Sequence, residues 1–139
     1  KNMRDCLDFR LVVKNIERTG DHAVIIAQDL LEFKKPIKKE ILSKIQEMNG
    51  FALSFLDEAC LALFKEDFAQ AEKIIQKSTE ITKYEKKVLD ASKLLKDDEE
   101  IFIVRRMIEN IRRIAEYASD ITEIVLNMNV EKILQKPKI

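Results

Sequence analysis

Glycine and proline are nearly absent, two of each in 139 residues, against roughly 7% and 5% in an average protein. A many-stranded β fold draws its turns from these residues, so their shortage excludes one and leaves an all-α chain. Long hydrophobic runs are missing too. The longest, Ala59-Cys60-Leu61-Ala62-Leu63-Phe64, falls far short of the ~20 residues of a membrane span, so no membrane insertion is expected. Charge of one sign is also absent. With 25 basic and 25 acidic residues there is no basic field to attract nucleic acid or an anionic bilayer. No Trp and two Tyr leave little surface on which bases could stack.

Cysteine and histidine are equally sparse. Cys6 and Cys60 show no C-x-x-C spacing and read as buried free thiols of a cytoplasmic protein. His22 is the single histidine, too few for a triad or a His-based metal site, and reads as a surface or edge side chain. There is no glycine-rich phosphate loop, no G-x-S-x-G, no H-E-x-x-H and no Glu-x-x-His. No catalytic agent is visible, and the chain reads as a non-enzyme. A start at Lys1, without an initiator Met or a signal-peptide pattern, suggests a piece of a longer protein.

What is present is helical periodicity on a scale of one domain. Turn signals at Lys34-Lys35-Pro36, Lys65-Glu66-Asp67 and Lys96-Asp97-Asp98 divide the chain into four helices, about 3 to 33, 37 to 64, 68 to 95 and 98 to 128. Asp67 with Gln70, and Asp97 with Glu100, have the spacing of N-terminal capping boxes. Short connections predict an antiparallel up-down four-helix bundle. In the first helix Cys6, Phe9, Val13, Ile16, Gly20, Ala23, Ala27 and Leu30 follow alternating steps of three and four, the pattern of a packing seam. In the fourth, Ile101, Val104, Ile108, Ile111, Ala115, Ala118, Thr122 and Val125 repeat it at a constant offset of 95 residues. The same offset pairs Arg10 with Arg105, Asn15 with Asn110, Arg18 with Arg113, Ile26 with Ile121 and Leu31 with Leu126. Matched Arg and Asn at exposed-type positions do not follow from amphipathicity, so the two helices read as copies of one ancestral element.

An offset of that size spans helices two, three and four, so the repeating unit is a three-helix module. Residues 1–34 are then the last helix of a truncated first module, 35–128 a complete second module and 129–139 a C-terminal tail. Ile41, Ile45, Met48, Ala52, Phe55, Ala59 and Ala62 form the stripe of the second helix. Ile74, Ile81, Val88 and Leu95 recur every seven residues on a more polar third helix, which suits the edge of the bundle. Gly50 inside the second helix costs ~1 kcal/mol relative to Ala, and a close helix contact or a bend would account for it.

Candidate chemistry is carboxylate chemistry. Glu17 and Asp21 stand one turn apart, so both project from one face and can share a hard cation such as Mg, Ca, Mn or ferric iron. The same spacing doubles as a solvated charged face beside Arg10, Lys14 and Arg18. The corresponding pair on the fourth helix is Glu116 and Asp120, where Arg105 to Glu109 and Arg112 to Glu116 are also ordinary salt-bridge spacings.

The string Ile16-Glu17-Arg18-Thr19-Gly20-Asp21-His22-Ala23 resembles the signature of the PhoU family of phosphate-uptake regulators, a Glu-Arg-x-Gly-Asp-His-Ala pattern on the third helix of each of two tandem three-helix modules. The resemblance implies a cytoplasmic, homo-oligomeric negative regulator of phosphate uptake and phosphate signalling. Such an adaptor contacts the phosphate ABC transporter and a sensor histidine kinase. It also implies metal, iron or another ion, held by Glu-x-x-x-Asp motifs, hence by Glu17 and Asp21. The second copy, Ile111-Arg112-Arg113-Ile114-Ala115-Glu116-Tyr117-Ala118, has Arg112 in place of the first acid, and Ser78 and Thr82 stand near the places of acids on the middle helix. Two other readings stay open: an effector or dimerisation module of a PhoU-containing transcriptional regulator, and a carboxylate-bridged metal-binding helical protein.

Overall fold

The computed structural model describes residues 3–135. All of the regular structure there is helical: α1 (Met3–Glu32), α2 (Lys39–Lys65), α3 (Phe68–Ile74), α4 (Lys77–Ala91) and α5 (Asp98–Leu134). The helices α2, α4 and α5 pack on one another with α3 tucked against α2 and α5, while α1 packs on α5. α5 therefore touches every other helix and is the axis of the molecule. α1 and α5 run in opposite directions, because Arg4 pairs with Glu131 at 2.6 Å near one end and Asp29 with Arg106 at 2.8 Å near the other.

The core follows the periodicity of α2 and α5. All seven stripe residues of α2 are buried, with Met48, Ala52, Phe55 and Ala59 fully so. On α5 the positions from Val104 to Val125 are buried as expected, Ile101 being half-buried. Ile74, Ile81, Val88 and Leu95 supply the third wall.

The third expected helix is two. Ser78 Oγ donates to the Ile75 carbonyl at 2.7 Å and Thr79 Oγ1 to that of Gln76 at 2.9 Å. The backbone N–H groups of both residues bond the same two carbonyls three residues back. Hydroxyls bonding back onto the chain tighten this turn and separate α3 from α4. Ser92, whose Oγ and N–H both donate to the Val88 carbonyl, ends α4 after Ala91 instead of at 95. Asp67 caps α3 by accepting from the Gln70 N–H at 3.0 Å, and Asp97 caps α5 by accepting from the Glu99 N–H at 3.0 Å. Lys35 crosses from the first connection to Asp97 at 2.5 Å, and its ammonium, with the capped amide, holds that carboxyl below the usual range. α5 continues past 128 to Leu134, its last turns held by Arg4 to Glu131 and Lys132 to Glu66. Glu66 takes a left-handed conformation (φ 49°), ending α2 as its own N–H bonds Leu63 and that of Asp67 bonds Ala62.

Three expectations are overturned. The proposed seam of α1 is not buried: Cys6, Gly20, Ala23 and Ala27 are exposed, as are Phe9 (53%), Val13 (65%), Ile16 (45%) and Leu30 (43%), with Ala23 and Leu30 bordering an open groove against α2 and α5. Cys6 is thus exposed, and Cys60 is half-buried, its thiol pushed up by burial and then by Asp57. Gly50 is exposed, and nothing lies within 4 Å of where a Cβ would stand, so no close contact requires it.

Phe55→Ala is expected to lower unfolding stability in urea by about 3–5 kcal/mol, the cost of emptying a fully buried aromatic site. Gly50→Ala, adding helix propensity in open space, is expected to raise it by roughly 0.5–1 kcal/mol.

Candidate functional site

The face that α1 turns inward is more polar than the one it shows to solvent. Its covered positions are Asp8, Val12, Asn15, Thr19, His22, Ile26, Asp29 and Phe33, again at alternating steps of four and three. Shifting each by 95 residues gives Ile103, Met107, Asn110, Ile114, Tyr117, Ile121, Ile124 and Met128, all buried or half-buried on α5. The two copies thus lie together along equivalent rows, one residue beside the rows that periodicity alone selects. Asn15 and Asn110, expected at exposed-type positions, are both buried.

His22, taken from the sequence as an edge residue, bridges the two helices. Its Nδ1 lies 2.6 Å from Asn110 Oδ1 and its Nε2 lies 3.1 Å from the Tyr117 hydroxyl. Asn110 Nδ2 donates to the Arg106 carbonyl at 2.8 Å, which leaves its Oδ1 as an acceptor facing the ring. Neutral His22 must therefore carry its proton on Nδ1, with Nε2 accepting from Tyr117. Tyr117 stands 95 residues after His22, at the offset that relates the two apolar stripes. Two turns further along α1, Asp29 is 7% exposed and accepts from Arg106 Nε at 2.8 Å. That bond raises the already high pKa of the guanidinium, which also lies 5.6 Å from the centre of the Phe102 ring. Asn15 is 1% exposed, and neither of its amide atoms has a hydrogen-bond partner among the described residues. The signal for this face was present in the sequence: on α5 two adjacent rows are apolar, and a helix with two greasy rows needs partners on two sides.

The candidate carboxylates separate into two unlike pairs. Glu17 and Asp21 are both exposed on the outer side of α1 beside the uncovered stripe. On α5, Glu116 accepts from Arg113 at 2.9 Å and lies 3.9 Å from Arg112, while Glu109 binds both Arg112 and Arg113. Asp120 is one turn beyond Glu116 and its carboxyl is pushed up by burial, then by Glu123 and Glu116, against the pull of Arg18 on α1. A small cleft between α4 and α5, of about 150 Å³, is lined by Ser78, Ile81, Ala115, Glu116, Ser119 and Asp120. Ser78 and Thr82, opposite on α4, donate their hydroxyl protons to backbone carbonyls at 2.7 Å. Among the described residues no group of three or more Asp, Glu, His or Cys side chains is placed to hold a metal ion. With Glu116 already paired to Arg113 and Arg112 beside it, the donor set on α5 does not fit a metal ion. Glu17 and Asp21 supply two carboxylates of one.

The comparison with known families is specific: the PhoU domain model matches residues 45–125, more than half of the chain. The chain belongs to the PhoU family, a family connected with the regulation of phosphate transport. No curated protein and no solved structure is significantly similar to it. None of the helices is long and apolar enough to cross a membrane among the described residues.

In a long-range ¹H–¹⁵N NMR spectrum at neutral pH, His22 is expected to show the Nδ1–H tautomer. Asn110→Ala, which strands that proton, is expected to cost roughly 1–2 kcal/mol in urea unfolding and to shift the His22 ring signals.

Proposed function

We propose that this chain is part of a cytoplasmic negative regulator of phosphate uptake and phosphate signalling, a non-enzymatic adaptor. It acts by contact with phosphate ABC transporter components and with a sensor histidine kinase, as a homo-oligomer. The PhoU match over residues 45–125 carries this reading. The arrangement of α1, α2, the α3–α4 pair and α5 is taken as an up-down bundle, in which residues 35–128 are one complete module. α1 is the last helix of a preceding one.

The uncovered stripe on α1 supports that division. Its counterpart on α5, from Ile101 to Val125, is covered by α2, α3 and α4 of the same module, whereas Phe9, Val13, Ile16 and Leu30 face solvent. An apolar row of this length beside the motif asks for a cover of the same kind, two helices standing to α1 as α2 and α4 stand to α5. Metal belongs to the same face. Glu17 and Asp21 are the two carboxylates that iron or another hard ion would use, and the remaining ligands would come from the covering helices.

Affinity capture of the full-length protein at high and low phosphate tests the adaptor reading. The transporter's ATPase subunits are expected to co-purify, and their absence at both phosphate levels would sink it. The division into modules has its own test in maleimide labelling. Cys6 is expected to react faster than the half-buried Cys60 in residues 1–139. It should become protected in a chain that carries two preceding helices, and equal reactivity in both chains would count against a covering module.

A further inference from the structure

We infer that on α5 the protein's own guanidinium groups have taken the place of a metal ion, so that the module of residues 35–128 binds none. The inference rests on the PhoU reading, because that family is what implies a metal there. Four observations carry it. Arg112 occupies the position equivalent to Glu17, which puts a fixed positive charge where a first ligand would stand. The only acid equivalent to a ligand, Glu116 in the place of Asp21, is held by Arg113 at 2.9 Å with Arg112 at 3.9 Å. Glu109 binds the same two arginines, at 3.1 Å from Arg113 and by a hydrogen bond from Arg112, so two cations and two anions form a closed, neutral set. On the facing helix α4, the Ser78 hydroxyl is turned to the Ile75 carbonyl in the turn before it and the Thr82 hydroxyl to the Thr79 carbonyl.

The physical consequence is a trade of an exchangeable cation for a covalently attached one. A divalent ion entering the cleft beside Glu116 and Asp120 would have to separate Glu116 from two guanidiniums and remain next to both. Coulomb repulsion then works against the ion, and the carboxylate it needs is already neutralised. An arginine cluster keeps its charge at every physiological pH and cannot be chelated, so this face holds one electrostatic state whatever the supply of metal.

The experiment uses the protein with the α1 pair removed, Glu17→Ala with Asp21→Ala, so that any remaining ion belongs to α5. Titration with Mn²⁺ followed by electron paramagnetic resonance, and elemental analysis after loading with Mn²⁺ or Fe³⁺ and dialysis, are expected to show no stoichiometric ion. A stoichiometric ion that disappears on Glu116→Ala or Asp120→Ala would overturn the inference. Adding Arg112→Glu to the same background restores an acid at the first position and removes half of the clamp. That variant is expected to bind Mn²⁺ at least about tenfold more tightly and to gain a Mn²⁺-dependent rise in Tm. If it gains neither, the arginine is not what keeps the ion out, and the inference fails. The result is separable from the wider reading: metal missing from Glu17 and Asp21 in the unmodified protein would question the family role of α1. It would leave the Arg112→Glu comparison intact.

Discussion

The pairing of Asp29 with Arg106 sets the position of everything on α1. Asp29 is covered while its partner Arg106 is about half exposed, so removing the guanidinium leaves a covered carboxylate without its ion-pair partner, which is destabilising. His22 between Asn110 and Tyr117 adds a second fixed point two turns away along the helix. Two such points determine both the axial register and the rotation of α1 on α5. Rotation is the more consequential. The row of α1 that faces α5 is poorer in apolar residues than the row beside it, so hydrophobic burial alone would turn the helix about its axis and hide Phe9, Val13 and Ile16 against α5. Polar specificity holds the greasy row outward, and Glu17 and Asp21 come outward with it.

α5 is shaped by serving two neighbours. One row, from Val104 to Val125, closes the core built by α2, α3 and α4; the adjacent row, from Ile103 to Met128, receives α1. The rim between these rows and solvent carries Glu109, Arg112, Arg113 and Glu116, whose mutual pairing settles the charge of the motif without drawing on any other helix. α1 and α5 differ in how they treat their acids and their apolar rows. α1 exposes Glu17, Asp21 and an apolar row, whereas α5 pairs Glu109 and Glu116 with arginines and buries its apolar row.

The parts of the fold that are driven by apolar burial were legible in the sequence. The stripe of α2, the heptads of α3 and α4 and the first row of α5 all emerge from steps of three and four, and Asp67 and Asp97 mark helix starts through their capping chemistry. The 95-residue offset seen in the exposed row also relates the covered rows of α1 and α5. What periodicity could not deliver was the packing face of α1. Counting hydrophobic residues selects the row with the most of them, and here burial follows Asn15, His22 and Asp29, whose value appears only once Asn110, Tyr117 and Arg106 are known to lie opposite. The split after Ile74 was hidden for a related reason. It depends on hydroxyls of Ser78 and Thr79 choosing backbone carbonyls, a local competition with no periodic trace. At the candidate site, the substitution of Arg112 for an acid was visible, but the closed set it forms with Arg113, Glu109 and Glu116 was not.

The Asp29 to Arg106 pair breaks the likeness of the two copies at one chosen place. The repeat counterpart of Asp29 is Ile124, and that of Arg106 is Leu11. In the same crossing geometry, α1 meeting another α1 would set Asp29 against Leu11, and α5 meeting another α5 would strand Arg106 against Ile124. Each sibling is thereby made a poor mate for its own kind and a good one for the other.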